Sequence, residues 1–169
     1  MTPHAIRLDV TLRPFLNSDL PFLEALYGET SESMLSEQAL GNRSLGAAFP
    51  GLLQGVPGLC IILTDKREPV GIVSAERRTT PEGSVLWIRL ILIAKAHRRC
   101  GYGEAAIFQL LHKAEHGGPF RRALLAVDGQ NNVAMAFWQA MGFRMLRRQH
   151  QERNPASSIL ILARERKAP

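Results

Sequence analysis

Cysteine is scarce. The 169-residue chain has two, Cys60 and Cys100, far apart in sequence. They form neither a disulfide framework nor a zinc-binding spacing, and a reducing cytoplasm is the default compartment. Long apolar runs are missing too. The strongest, Leu86 to Ala96, carries Arg89 and Lys95 and falls short of the roughly 18–20 residues of a membrane span. The first residues include Pro3, Arg7 and Asp9 in place of an apolar signal core, so neither secretion nor a membrane partner is expected. Internal repeats, low-complexity tracts, zinc-finger spacing, a basic zipper and aromatic-interleaved basic strands are all absent, and no nucleic-acid partner is required.

What is present describes an ordinary globular chain. Its hydrophobic fraction is 46%, enough to bury a core, and its length suits a single domain over 1–169. The net charge of +6 is unevenly placed. Through Val70 there are 5 basic and 8 acidic residues, and from Gly71 onward 16 basic and 7 acidic. A basic C-terminal half suits an anionic partner, such as phosphate groups, although a solvated arginine-rich face accounts for the charge equally well.

Periodicity and turn residues give the element order. Ile6–Leu12 reads as a strand, and Ser18 or Asn17 caps a helix reaching about Tyr27. Ser31–Leu40 reads as a second helix and Gly41–Gly58 as a loop. Strands follow at Leu59–Thr64, Val70–Glu76 and Val85–Ile93. A helix from Gly103 to His116 places Ile107, Leu110, Leu111 and Ala114 on one face, and Gly117-Gly118-Pro119 ends it. Arg122–Val127 is a strand, Asn131–Met141 a helix, and Phe143–His150 and Ser158–Ala163 the last strands. The expected class is α/β (α+β): a mixed, mostly antiparallel central sheet of about six to seven strands with helices on both faces.

Two stretches carry chemistry. In Ile91-Leu92-Ile93-Ala94-Lys95-Ala96-His97-Arg98-Arg99-Cys100-Gly101-Tyr102-Gly103-Glu104 a buried strand ends, a basic loop follows, and glycines open a helix. Helix N-termini expose unpaired N–H groups that attract anions. Glycines let a phosphate approach the backbone, and arginines add forked donors. The pattern is neither the Walker loop nor the dinucleotide fingerprint. Downstream lies Asn131-x-x-Ala134-x-x-Phe137-Trp138-x-x-x-Gly142-Phe143.

Together, and in this order, the stretches resemble the GCN5-related N-acetyltransferase (GNAT) superfamily. Its R/Q-x-x-G-x-G/A motif reads here Arg98-x-x-Gly101-x-Gly103, and its second motif matches at Asn131, Ala134, Gly142 and Phe143. The resemblance implies direct transfer of an acetyl group from acetyl-CoA to an amine of a small molecule or peptide. It places an acetyl-CoA-binding core at 85–144 and an acceptor side built by two N-terminal helices and their loop. It implies a strand splayed from its neighbour, with Ile91, Leu92 and Ile93 along the pantetheine arm and the Ile91 N–H as the oxyanion donor. Arg98, Arg99, Cys100, Gly101, Tyr102, Gly103 and Glu104 would hold the pyrophosphate. Asn131, Ala134 and Trp138 would line the coenzyme arm. No metal is implied, and homodimers are common in the family.

Two positions depart from the pattern. The tyrosine that protonates the leaving thiolate is Trp138 here, and indole is no acid near neutral pH. A glutamate base found in some members falls at Trp87, which reads as core or pocket wall. Glu76, ending a strand beside the cleft, is the candidate base, directly or through water. Glu29, Glu32 and Glu37 make the acceptor side acidic, which favours a cationic amine. The alternatives are a non-catalytic acyl-CoA-binding or sensing module, and a basic RNA- or ribosome-associated protein.

Overall fold

A computed structural model describes residues 8–29, 56–151 and 154–166. In chain order the elements are β1 (Thr11–Pro14), α1 (Leu20–Gly28), β2 (Leu59–Leu63), β3 (Pro69–Thr80), β4 (Gly83–Ile93), α2 (Tyr102–His116), β5 (Arg122–Asp128), α3 (Asn132–Ala140), β6 (Arg144–Gln151) and β7 (Asn154–Glu165). They form one seven-stranded sheet in the order β1-β2-β3-β4-β5-β7-β6. Every neighbouring pair is antiparallel except β4 and β5. The mixed sheet follows the expected architecture.

Alternating side chains send two apolar sets to opposite faces. On one face Leu23 and Leu26 of α1 pack over Leu59, Ile61, Leu63, Ile72, Leu90 and Leu92. On the other, Ala106, Ile107 and Leu111 of α2 and Trp138 of α3 cover Ile62, Val73, Leu86, Ile88, Leu125 and Leu162.

Most expected elements are present with shifted ends. The first strand is Thr11–Pro14, later than Ile6–Leu12. The expected helix over Ser31–Leu40, Glu32, Glu37 and most of the loop after Gly41 lie outside the described residues. The hairpin β3–β4 runs past Glu76 to Thr80 and starts again at Gly83, because Arg77 and Arg78 pair with the buried Leu86 and Val85, and Thr79 with Ser84. Arg77 is held there by the far end of α2, whose terminal carbonyls its guanidinium takes: Ala114 O, Gly118 O at 2.7 Å and Pro119 O at 3.1 Å.

Neither Ser18 nor Asn17 caps α1. Asn17–Asp19 is a 3-10 turn, and the Asp19 side chain caps that turn and not α1. Its carboxylate accepts the Leu16 N–H at 2.8 Å and both arms of Arg13 at 2.8 and 2.9 Å. The Arg13 bond, against the opposing pull of burial and with help from Leu16, holds its pKa below the ordinary 3.8. A depressed carboxylate pKa contributes stability above the unfolded-state value and loses it as pH falls through the folded-state value. Asp19→Asn is therefore expected to cost about 1–2 kcal/mol near neutrality. In paired pH melts the gap between wild type and variant should narrow as the pH falls below 3.8 toward the depressed Asp19 pKa; a gap that does not change with pH speaks against this ion pair.

Candidate active site

The parallel pairing of β4 with β5 is brief. Val85, Leu86 and Trp87 pair with Arg122, Ala123 and Leu124, and no further pair follows. Leu125–Asp128 pair only with β7. From Ile88 on, β4 thus has an open edge. The Ala94 N–H donates to Val70 O of the β3 segment at 2.9 Å, and N–H groups alternate sides along a strand. Leu92 therefore points its backbone at β3, while the N–H groups of Ile91 and Ile93 point into the gap. The Leu92 side chain belongs to the α1-side core, and its backbone serves the ladder.

A bulge shapes this edge. Ser74 pairs with Leu90 and Ala75 with Ile88, leaving Arg89 extra. Before the bulge, Leu86 and Ile88 face α2; after it, Leu90 and Leu92 face α1. One inserted residue moves the whole alternation to the opposite face.

The open edge leads to the N-terminus of α2. The Ile93 carbonyl accepts from Arg98 Nε at 2.9 Å, which folds Arg98 back along the strand end with its Nη2 buried and unpaired among the described residues. Arg99 and Gly101 both have positive φ, 59° and 89°, and alternating conformations of this kind aim successive N–H groups at one point. No side chain caps α2. Its first i→i−4 bond is Ala105 N–H to Gly101 O at 3.0 Å, so the amides of Tyr102, Gly103 and Glu104 stand ahead of the ladder as an anion site.

The two glycines differ. Gly101 supplies the left-handed turn. Gly103 faces α3: a Cβ there would lie 3.4 Å from Phe137 and 3.8 Å from Ile93, ordinary contact distances, so packing by itself does not demand glycine at this position. Cys100 and Glu104 are exposed, with Cys100 Sγ donating to Arg98 O at 3.3 Å. Tyr102 meets His97 edge-on at 5.7 Å.

At α3, Asn131 Oδ1 accepts the Ala134 N–H at 3.0 Å. Asn131 is an N-cap first, and only its amide nitrogen is left for a ligand. Trp138 is 7% exposed and sits edge-on to Phe137 and Phe143 at 4.9 and 5.1 Å. It is core. Trp87, expected in the core or pocket wall, is half-buried beneath Arg78, whose guanidinium lies 4.9 Å from its ring centre.

Glu76 shares the α1 face with Arg78, Trp87 and Arg89. A single carboxylate oxygen, Oε1, accepts from Arg78 at 2.5 Å and from Arg89 at 2.7 Å. Partial burial pulls the Glu76 pKa up, but the hydrogen bonds from Arg78 and Arg89 outweigh it and hold the pKa below the ordinary range. A general base near neutral pH needs the opposite shift. In the sequence Arg89 stands out only as a charge inside the apolar run Val85–Ile93. Glu29 Oε2 accepts the Lys95 N–H at 2.9 Å, which ties the end of α1 to the segment after β4.

Elsewhere, a groove of about 740 Å³ between α2, Leu8–Val10 and Arg164–Arg166 touches none of these residues. Among the described residues no three His, Cys, Asp or Glu converge, and no helix is long and apolar enough to cross a membrane.

In sequence, the acetyltransferase (GNAT) family matches residues 23–143, well over half the chain. No curated protein matches it. In structure it is similar to a GCN5-related N-acetyltransferase from Kribbella flavida, at 20% identity and a TM-score of 0.67 over 92% of this chain and 97% of that one. It is similar to Arabidopsis thaliana NAA60, solved with acetyl-CoA, at 17% identity and a TM-score of 0.66 over 95% and 100%. The Vibrio cholerae spermidine/spermine N-acetyltransferase SpeG, solved with manganese ions, aligns at 14% identity and a TM-score of 0.67 over 92% of each chain.

Proposed function

The chain belongs to the acetyltransferase (GNAT) family, and from that and the geometry above we propose that it transfers an acetyl group from acetyl-CoA to an amine by direct attack. One observation carries the reading. The open edge of β4, with the Ile91 and Ile93 N–H groups facing the gap, runs into the uncapped N-terminus of α2.

The residues present fit the coenzyme. The amides from Arg99 to Glu104, turned by Gly101, would hold its pyrophosphate, and the backbone edge of Ile91 and Ile93 would pair with its pantetheine arm. Arg98 ties the strand end to the loop and keeps one buried N–H to offer. The amide nitrogen of Asn131 would reach the arm from α3. The coenzyme supplies the activated acyl group.

The Ile91 N–H is the donor aimed at the oxygen on which charge develops, and its rigid place in the sheet means no reorganisation is needed. Neither Trp138 nor Glu76 handles protons. A thiolate leaving group, with a reference thiol pKa of about 8.5, does not need an enforced acid. The amine loses its proton to solvent, so positioning supplies most of the acceleration. Two free thiols, Cys60 and Cys100, suit a cytoplasmic setting, and the whole chain acts as one domain with 85–144 as its coenzyme core.

A specific observation keeps a second reading, a non-catalytic acyl-CoA-binding module: the position of the usual acid is a buried tryptophan. One pair of experiments separates them. Acetyl-CoA at about 100 times its dissociation constant should stabilise the fold by roughly 2.7 kcal/mol in a thermal melt. Thiol release across an amine panel should then show turnover. A shift without turnover favours the binding module, and no shift at millimolar coenzyme overturns both.

A further inference from the structure

The cluster of Glu76, Arg78, Trp87 and Arg89 on the α1 face is not needed to hold the coenzyme, and its charge does not cancel. We propose that it selects the acceptor: an amine that also carries an anionic oxygen group, a carboxylate or phosphonate, docked on Arg89 and Arg78. This deepens the acetyl-transfer reading and rests on it.

Position comes first. Arg89 is the bulged residue of β4, two residues before Ile91 and so about 7 Å along the strand. The bulge puts Arg89 on the α1 face. Glu76 and Arg78 alternate with Ile72 onto the same face, and cross-strand pairing sets Glu76 opposite Trp87. A ligand held here lies beside the open edge where the acyl carbonyl would sit.

Charge comes second. Two guanidiniums share one carboxylate, and both use the same oxygen. The set carries one net positive charge at a place only partly open to water: Arg89 is 27% and Arg78 42% exposed. Arg89 also keeps a buried Nε without a partner among the described residues. Its desolvation is thus incompletely offset within the protein, and an anionic oxygen at its exposed outer edge makes up the difference. Glu76 acts as a positioning residue that spreads the two arginines, and Trp87 is the flat wall beneath Arg78.

The same cluster rejects other amines. A polycation adds positive charge to a net-positive site, and a neutral carboxamide leaves the arginines without their ion. Both are discrimination by an unmet charge, which separates substrates more sharply than apolar fit does.

The test uses the full chain. Acetyl-CoA binding is measured by calorimetry. Thiol release is then compared for free L-amino acids and 2-aminoethylphosphonate, for the amino-acid carboxamides, and for spermidine. The expected result is a kcat/KM for the best anionic amine about tenfold or more above its neutral counterpart. Arg89→Gln should remove that preference through KM for the amine and leave KM for acetyl-CoA unchanged. Arg78→Gln, on a more exposed side chain, should move the same KM in the same direction and decides the matter if Arg89→Gln fails to fold. Equal or better use of carboxamides or spermidine overturns the proposal. So does coenzyme binding with no anionic amine turned over, or an unmoved amine KM in the folded variants. Absence of coenzyme binding instead overturns the acetyl-transfer reading beneath it.

Discussion

Replacing Gly101 with valine is expected to weaken acetyl-CoA binding by about tenfold or more, equivalent to about 1.4 kcal/mol, with a smaller loss of fold stability. Gly101 sits at φ 89°, where a β-branched residue is strained by about 1–3 kcal/mol. Its Cβ would also lie 3.3 Å from Leu8 Cδ1. The loop is on the surface, joined to the core through α2 and through the Arg98 bond to Ile93. The cheapest relief is local: the turn relaxes, and the amides of Tyr102 to Glu104 rotate out of convergence. An anion that depends on those amides loses affinity, while the core of α2 at Ala106 and Ile107 stays buried. Gly101→Asn is the control, because asparagine tolerates the left-handed region. Calorimetry should show near wild-type affinity for Asn and the loss for Val. Unchanged affinity and stability in Gly101→Val would place the phosphates elsewhere.

Phe143→Ala should be among the most destabilising single changes, at about 3–5 kcal/mol. Phe143 is fully buried where α3 turns into β6. Its ring packs edge-on to Trp138 at 5.1 Å, and its N–H donates to Trp138 O at 3.0 Å. Removing the ring opens a cavity beneath a residue that is itself core, and a packed sheet cannot close over it. At roughly 2–4 °C per kcal/mol for a chain of this size, the melting point should fall by about 10 °C. Denaturant melts should show a lower midpoint at an unchanged slope. A loss under about 1 kcal/mol would mean the site collapses freely, contrary to this packing.

How much of this was legible beforehand depends on the range of the interaction. Local patterns were enough for the helices α2 and α3, whose apolar spacing and ending glycines leave little choice. They were enough for the strand order around them and for the basic glycine loop after a buried strand. They also marked Gly101 as a backbone requirement. The start of α1 was misread because Asp19 is recruited from outside by Arg13, six residues earlier, and serves the turn in front of the helix.

The two tryptophans show the boundary most plainly. Sequence spacing put both at positions where the family places protons, and it could say that neither indole would serve. It could not say that Trp138 is closed in by Phe137 and Phe143 while Trp87 lies half open beneath Arg78, because burial depends on what other strands and helices bring alongside. Glu76 is the same case: its carboxylate is held ionised by an arginine thirteen residues away, reached only across a hairpin. The bulge at Arg89 goes furthest. A strict period of two would send Leu86, Ile88, Leu90 and Leu92 to one face. The inserted residue divides them between two cores and turns an arginine toward the α1 face. The amino-acid sequence by itself determined the elements, the family and the glycine turn that opens α2, since these rest on neighbours in the chain. Only the tertiary structure decided which face each residue takes and which charges meet, since those follow from strand register, and register is settled between segments rather than within them.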